Sequence, residues 1–491
     1  MNSASSLGRV AVVGAGVAGL SAAYFLRDTG AEVIVLEASG RTGGKLAVSD
    51  VAGIPVDAGA EALLARRPEG VDLIKAVGLG GDLVNASPTT ASIWTRGQFR
   101  QLPRRHFMGV PADIADLERS EILSPAGMQR ARQDALLPTA ERDGDLAVAD
   151  FVAARFGSEV VSRLVDPLLG GVYAGRSDQL SLDATLPALA MASRSHRSLA
   201  EAAASLLTEI RSAGPASREP PPQRAPVFTT LATGLGALPD ALAHASGAQV
   251  RTRATVRELA RKPAGWRLSI GPAVKPERID ADAVILALPA RPASRLVSQV
   301  AGARTAAAAL AEIEYASMAI VTLAYPVAAF PEQLTGSGYL VPSVDGHPVK
   351  AVTFSTLKWP HLSGDQHVVR CSIGRIGEEA VLQRDDADLV ALAAADLAEA
   401  TGVQGKPAAS RVSRWGGGLP QYTVGHLDRV DLIRAALGAQ PGLAVCGAAY
   451  DGIGIPACIA SARLAVDKVV AYLETKVTTP GPGANRAHAG E

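Results

Sequence analysis

Three glycines and one glutamate near the start of the chain have the types and spacing of a dinucleotide-binding site. Gly14, Gly16 and Gly19 follow an apolar run at GxGxxG spacing, and Glu37 directly follows the next apolar run. The first glycine permits a tight turn, the second lets backbone amides approach a pyrophosphate, and the third lets helix and strand pack closely. An acid at this distance accepts hydrogen bonds from ribose hydroxyls. The chemistry that these residues predict is the binding of an adenine dinucleotide.

The residues between and around them predict the elements that such a site requires. Val10–Val13 is typical of a buried parallel strand, Val17–Asp28 carries apolar residues at helical spacing, and Val33–Leu36 predicts the next strand. The order strand, turn, helix, strand and acid is the context in which the glycine pattern is specific. The residues that we expect to contact the dinucleotide here are Gly14, Ala15, Gly16, Val17, Ala18, Gly19, Glu37 and Ala38.

A second glycine turn directly after the acid indicates which dinucleotide binds. Arg41 and Lys45 stand on either side of Gly43 and Gly44. A nicotinamide-binding βαβ unit has no need of such a turn, and no second GxGxxG follows a strand elsewhere in the chain. The segment resembles the extended signature of FAD-dependent oxidases with the amine oxidase type of fold. That resemblance implies FAD as the cofactor.

Length and composition limit the class of protein. A chain of 491 residues predicts two or three domains, and its 48 basic and 48 acidic residues argue against nucleic acid as a partner. The 3 cysteines show no metal-ligand spacing, so no metal site is predicted, and their odd number fits a reducing cytosol. No apolar run approaches the roughly 20 residues of a spanning helix. We therefore expect a cytoplasmic protein, and leave peripheral contact with the inner face of a membrane open.

Periodicity and composition also predict how the chain is divided. The Pro-rich segment 212–226 cannot bury a core and is predicted to be a flexible connector. The other predicted parts are a discontinuous FAD-binding domain (1–85, 226–290 and 405–474), a mostly helical insertion (86–211), a substrate-binding domain (291–404 with part of 55–110) and a disordered tail (475–491).

Longer motifs add a more specific resemblance. They are Phe151–Glu159, Asp166–Gly175, Leu180–Leu182, His196–Leu199, Lys358-Trp359, Gly374–Glu378, Arg414-Trp415, Pro420–Tyr422, Gly425-His426 and Gly447–Pro456. Together these motifs resemble the porphyrinogen-oxidising flavoenzymes of haem synthesis, over nearly the whole chain except the connector and the tail. The resemblance implies an α/β fold, in which a Rossmann-like FAD-binding domain carries a mixed-sheet substrate domain and a mostly helical insertion. The chain departs from the family's usual residues at Ala60, Arg105 and Arg176.

The same resemblance implies further contacts to the cofactor. Trp415 would pack beside the isoalloxazine ring, with a core aromatic residue as the alternative, and Val256 would pair its backbone with the adenine. The last helix would point its positive end at the flavin edge that becomes negative on reduction. The other residues implied at the flavin are Gly59, Ala60, Glu61, Ala62, Gly447, Gly454, Ile455 and Pro456.

The activity implied is the six-electron oxidation of coproporphyrinogen III to coproporphyrin III, with oxygen reduced to hydrogen peroxide. Flavin N5 can take hydride from a methylene bridge that is held against the ring, so the protein mainly supplies position and electrostatics. We therefore name no catalytic side chain, and expect His196 and His426 to be structural.

The choice of substrate depends on carboxylates. Coproporphyrinogen III carries four propionates and protoporphyrinogen IX two, and arginine is the suitable bidentate partner. The predicted substrate-binding residues are Arg66, Arg67, Arg104 and Arg105, with Arg176 and Lys358 as weaker candidates and a solvated surface as the alternative for each.

Several alternatives and partners stay open at this stage. Protoporphyrinogen oxidase is the nearest alternative, and an amine oxidase or a carotenoid desaturase is more distant. A flavin-containing interaction protein that passes porphyrin to a partner is the non-enzymatic alternative. The expected partners are the porphyrinogen and oxygen, with transient contact to a ferrochelatase, and the oligomeric state is left open.

Overall fold

The N-terminal strand lies at the centre of a five-stranded parallel sheet in the computed structural model, which describes residues 7–87, 90–139, 142–212 and 226–478. The strand order is Gln249–Arg251, Glu32–Leu36, Arg9–Val13, Ala283–Leu286 and Leu443–Val445. The central strands are continuous apolar runs because both faces of the sheet are covered. The helix between the first two strands spans Val17–Leu26, as the glycine pattern predicts.

Alternate side chains of the first strand enter two different cores. Val10 and Val12 pack with the helices Val17–Leu26, Ala237–Ser246 and Ile455–Thr478. Ala11 and Val13 face the other side of the sheet. The elements there are an antiparallel meander (Val256–Lys262, Gly265–Ile270, Glu277–Ala281) and the helices Ala290–Val297, Arg304–Ala311 and His426–Gly438.

A second, seven-stranded sheet is mixed. Its strand order is Ala409–Pro420, Tyr315–Pro326, Gln366–Ile373, Val349–Phe354, Gly338–Leu340, Ser92–Thr95 and Gln98–Gln101. The pairing of Gly338–Leu340 with Ser92–Thr95 is parallel and the other pairings are antiparallel. Helix Asp386–Thr401 packs against this sheet. The edge strand Ala409–Pro420 falls in the range expected for the FAD-binding domain, yet it belongs to this sheet.

The region from Ile114 to Ser212 is mostly helical in the described residues. Its helices of six or more residues are Ile114–Arg119, Pro125–Ala131, Val148–Phe156, Asp166–Tyr173, Pro187–Ala192 and Leu199–Ser212. They enclose a separate core that includes Phe151 and Phe156. The buried Arg155 is bonded to Asp134 there, its Nε lying 2.6 Å from Oδ1. The buried charge is therefore paired, as burial of an ion requires.

Short elements connect the two sheets. Hairpin strands Val48–Val51 and Ile54–Asp57 lead to a small sheet made of Leu63–Leu64, Phe228–Leu231 and Leu83–Asn85. Other short helices and strands are Pro68–Ala76, Ser158–Val160, Leu182–Thr185, Ser355–Lys358, His106–Phe107 and Val110–Pro111.

Parts of the predicted connector and tail lie outside the described residues. Residues 213–225 of the connector and residues 479–491 of the tail are outside the described part of the chain. Residues 475–478, which were predicted to belong to the disordered tail, are the last residues of a helix. None of the helices in the described part of the chain combines the length and the low charge of a bilayer-spanning segment.

Candidate cofactor-binding site

The first glycine turn has the geometry of a phosphate-binding loop. A Cβ atom on Gly19 would lie 1.9 Å from the carbonyl oxygen of Gly14, so only glycine lets the helix approach the strand this closely. Gly16 is the N-cap of helix Val17–Leu26, and no side chain caps the helix there. A Cβ on Gly16 would meet no described atom within 4 Å. The first N–H groups of a helix have no partner within the helix, so this turn, with free space beside Gly16, can bind an anion.

Glu37 lies beside this turn at the end of its strand. Its carboxylate accepts hydrogen bonds from the backbone N–H groups of Ala15 and Ser39, each at 2.8 Å. Its backbone carbonyl accepts a bond from Ala254 at 2.7 Å, two residues before Val256. The structure thus brings Glu37, Ala38 and the approach to Val256 to one edge of the parallel sheet.

The second glycine turn packs directly on the first. Gly43 N–H donates to the Ala15 carbonyl at 2.8 Å, and a Cβ on Gly44 would lie 3.3 Å from the Cα of Gly16. The guanidinium of Arg41 donates to the carbonyls of its own turn, including that of Gly44 at 2.6 Å. Arg41 therefore shapes the loop.

Lys45 presents a cation that fits a dinucleotide phosphate. Its ammonium has no hydrogen-bond or ion-pair partner among the residues that the structure describes, and burial lowers the pKa of this group. A buried cation without a carboxylate is unfavourable on its own. A bound phosphate anion would compensate it.

The predicted flavin loop, residues 59–62, packs on this second turn. Ala60 N–H donates to the Lys45 carbonyl at 3.2 Å, and a Cβ on Gly59 would lie 2.0 Å from that same oxygen. The indole Nε1 of Trp415 donates to the Ala58 carbonyl at 2.9 Å. The structure thus places Trp415 against the loop although 357 positions separate it from Ala58.

Glu61 anchors the flavin loop through two cations. The Glu61 carboxylate is ion-paired with both Lys358 and Arg370, and Arg370 also donates to the Gly59 carbonyl at 2.7 Å. Burial alone would raise the pKa of Glu61, but the charges and hydrogen bonds of Arg370 and Lys358 outweigh it and hold that pKa at about 2. Lys358, a weaker substrate candidate from the sequence, therefore has an internal partner.

Sequence reasoning missed Arg370. The available signal was a single arginine directly after the apolar pair Val368-Val369, in the buried part of strand Gln366–Ile373. A charged residue in such a strand needs a buried partner. Its partner, Glu61, is 309 positions away in the chain.

The C-terminal motif lies between the last strand of the parallel sheet and the last helix. Gly447 has φ +121° and follows the last parallel strand, and a Cβ on it would lie 3.8 Å from the Cβ of Ala18. The last helix begins at Ile455 and has no acidic residue in its first turn, so its positive end is not neutralised there. The start of this helix lies near helix Pro68–Ala76, since a Cβ on Gly70 would be 3.3 Å from Pro456. Gly454 and Ile455 directly precede Pro456 in the chain.

The predicted substrate arginines lie at the surface in two separate turns. Arg66 and Arg67 precede helix Pro68–Ala76, and Arg67 pairs with Glu69 at 2.8 Å. Arg104 is exposed, and Arg105 lies 3.7 Å from Asp113. Among the described residues, no hydrogen bond or ion pair joins the two turns. Arg176 pairs with Asp178.

The two histidines have protein partners. His196 Nδ1 lies 2.9 Å from the Ala192 carbonyl oxygen. His426 is fully buried, stacks on Tyr422 at 3.8 Å between ring centroids, and lies 3.4 Å from the Tyr450 carbonyl oxygen through Nε2. Burial is the main cause that lowers the pKa of His426 to about 4, so the ring is neutral at neutral pH.

His426 should make the protein less stable in acid. Its pKa rises from about 4 in the folded chain to 6.5 on unfolding, so stability present above pH 6.5 is lost as pH falls towards 4. From pH 7.5 to pH 5 this group should remove about 2 kcal/mol of the free energy of unfolding. Urea titrations at both pH values should show a smaller loss in His426→Gln. The exposed His244→Gln is the control, and an equal loss in all three proteins would contradict the assignment.

Comparison with known proteins assigns the chain to a family. Residues 17–470 match the family model for flavin containing amine oxidoreductases. The chain belongs to this family. Its cofactor is therefore FAD, and the predicted α/β flavoprotein fold is confirmed.

Within the family, the chain is similar over nearly its whole length to one group of enzymes. It is 39% identical over 471 residues to a Mycobacterium tuberculosis protein named coproporphyrinogen III oxidase, covering 95% of this chain and 98% of the relative. A Bacillus subtilis protein of the same name is 29% identical over 473 residues, covering 94% of this chain and 98% of that one.

The solved structures agree on the fold. A crystal structure from Exiguobacterium sp. 255-15, which carries the provisional name protoporphyrinogen oxidase, has a TM-score of 0.81 at 29% identity and covers 94% of this chain and 98% of its own. A putrescine oxidase structure with a TM-score of 0.67 and 16% identity covers 94% of this chain and 99% of its own, and shows the shared fold alone.

Proposed function

We propose that this chain is a coproporphyrinogen III oxidase of haem synthesis, which converts coproporphyrinogen III to coproporphyrin III. Six electrons and six protons leave the substrate, and three O2 become three H2O2. The observation that carries this choice is the similarity over 95% of the chain to an enzyme of that name. The intact glycine turns supply the matching cofactor site.

The chain's own residues would hold and polarise the reacting groups. Bound FAD supplies a two-electron acceptor for each of the three oxidations. The residues fitted to hold it are the first glycine turn, Glu37, Lys45 and the loop that Glu61 anchors. The positive end of the helix at Ile455, which has no acidic residue in its first turn, favours negative charge nearby. His426 is buried, neutral and stacked, so we assign it no proton transfer.

The proposal extends to location and partners. We place the enzyme in the cytoplasm, with peripheral contact at the inner face of the membrane and a ferrochelatase as a transient partner. The domain division from the sequence is part of the same proposal, with strand Ala409–Pro420 contributing to the large mixed sheet. Protoporphyrinogen IX is the second candidate substrate, which the fold similarity to the Exiguobacterium structure supports.

A side-by-side turnover assay tests the substrate. The FAD-loaded enzyme is given each porphyrinogen under air, and product fluorescence and peroxide are followed, with an enzyme-free sample correcting for spontaneous oxidation. We expect kcat/KM to favour coproporphyrinogen III by about tenfold or more, since one additional charged hydrogen bond is worth that factor. Three peroxides should form per porphyrin. A clear preference for protoporphyrinogen IX would reverse the proposal.

Arg67→Ala should raise KM for coproporphyrinogen III more than it lowers kcat. Arg67 is exposed and its Glu69 partner is a surface acid, so the guanidinium can exchange that partner for a propionate. We expect a rise in KM of about fivefold, which corresponds to about 1 kcal/mol. Arg278→Ala, at an exposed arginine of the meander, is the matched control. An unchanged KM in Arg67→Ala removes this residue from the binding site.

A further inference from the structure

A small cavity lies beside the anchored flavin loop. Its volume is about 20 Å³, which is room for one water molecule. Four elements contribute to its wall: strand Ile54–Asp57, strand Phe228–Leu231, helix Ser355–Lys358 and strand Gln366–Ile373. The cavity therefore joins the hairpin that leads into the flavin loop to the large mixed sheet.

Four buried polar atoms on residues of this wall have no hydrogen-bond partner within the described part of the chain. They are Asp57 Oδ1, Thr230 Oγ1, Ser355 Oγ and Arg370 Nε. One atom comes from each of the four elements. Buried polar groups in native proteins are almost always satisfied, and a buried water commonly makes two to four such bonds. A polar cavity of this size with four unsatisfied groups has the properties of a water site.

We infer that this cavity is a water site and that its water joins Asp57 to Arg370. Asp57 is then a positioning residue that couples a proton to the flavin loop. Arg370 can transmit the effect because it binds both Glu61 and the Gly59 carbonyl. A negative charge on Asp57 would attract Arg370 away from those two partners. A proton on Asp57 leaves Arg370 fully engaged with the loop.

The groups around Asp57 favour opposite protonation states. Arg370 and the backbone N–H groups of Leu235 and Gly236 favour the carboxylate, whereas Glu61 and burial oppose it. Burial is the largest of these causes, and the pKa of Asp57 is raised to about 7. On the cavity wall, burial lowers the pKa of His361, which favours its neutral ring. Lys358, the remaining cation nearby, is engaged by Glu61.

Reduction of the cofactor should therefore move a proton at this site. Negative charge gained near the loop raises the pKa of a nearby carboxyl group. Asp57 would take up a proton on reduction, by way of the cavity water. The inference uses the FAD site alone and does not depend on which porphyrinogen is oxidised.

Infrared difference spectra of the FAD-loaded protein test it. Spectra of dithionite-reduced minus oxidised protein are recorded at pH 6, 7 and 8. We expect a carboxylic acid carbonyl band that gains intensity on reduction, most strongly near pH 7, and that is absent in Asp57→Asn. A water O–H band that shifts in H2¹⁸O should be lost in Thr230→Val. A carbonyl band that persists in Asp57→Asn, or the absence of any carbonyl change in the wild type, would overturn the inference.

Asp50→Asn is the matched control. Asp50 lies on the paired strand of the same hairpin, is exposed, and accepts a bond from Gly53 N–H. This variant should retain both bands. If Asp57→Asn does not fold, Ser355→Ala replaces it, because loss of a water partner should shift the pH at which the carbonyl band changes. An unshifted band in Ser355→Ala would equally count against the water link.

Discussion

Gly19→Ala is expected to destabilise the apoprotein, whereas Gly16→Ala is expected to leave it stable and to abolish tight FAD binding. The Cβ at position 19 would lie 1.9 Å from a backbone oxygen, so helix and strand must separate. Overpacking of this kind costs about 1–3 kcal/mol. The backbone of Gly16 has φ −73°, which alanine adopts readily, and its Cβ would meet no protein atom. That methyl group instead projects into the space where the pyrophosphate must approach.

Two measurements separate these effects. Thermal unfolding of the apoproteins should show a lowered Tm for Gly19→Ala and the wild-type Tm for Gly16→Ala. Titration with FAD, followed by quenching of flavin fluorescence, should show about 100-fold weaker binding for Gly16→Ala, or about 2.7 kcal/mol. Gly438→Ala, at a helix end with open space around it, should behave as wild type in both. Wild-type FAD affinity in Gly16→Ala would contradict the site.

Arg370→Gln is expected to cost about 3 kcal/mol of the free energy of unfolding, the lower end of the range for breaking a buried ion pair, since it removes one of the two cations paired with Glu61. Lys358 stays beside Glu61, but the Gly59 carbonyl also loses its donor. The loop that packs on Lys45 should loosen, so FAD should bind more weakly as well. The double variant Glu61→Gln with Arg370→Gln should cost less than the sum of the single variants, because the pair is coupled.

Urea unfolding of the apoproteins measures this cost. The control is Arg267→Gln, which removes an equivalent contact at 2.7 Å between exposed Arg267 and Asp280. Exposed pairs contribute at most about 1 kcal/mol. If Arg370→Gln were no more harmful than Arg267→Gln, Glu61 would not be a buried anchor.

The first crossover could be predicted from the sequence because its determinants are local. These determinants all lie within about thirty residues. They are a glycine at position 14 with φ +103°, a helix directly after it, and an acid at the end of the next strand. The antiparallel hairpin at Ser92–Thr95 and Gln98–Gln101 is determined locally in the same way. Arg96 and Gly97 form its turn, both with positive φ.

The anchor of the flavin loop could not be predicted in this way. Glu61 was expected at the cofactor, but its contacts to Lys358 and Arg370 depend on how the large sheet lies against the loop. Adjacent arginines such as Arg66 and Arg67 likewise indicate a charged surface. Their sequence does not show which other turns lie beside them in the folded chain. Strand Ala409–Pro420 joins the large sheet because its partner is Tyr315–Pro326, nearly a hundred positions earlier. Non-local pairing of this kind leaves little local signal.

Anaerobic mixing tests whether coproporphyrinogen III reduces the bound flavin. FAD-loaded protein is mixed with coproporphyrinogen III without oxygen, and the visible absorption of oxidised flavin is followed by stopped flow. We expect rapid bleaching with formation of oxidised porphyrin, and return of the flavin band when air is admitted. A flavin band that keeps its full absorption in the presence of excess coproporphyrinogen III would contradict it.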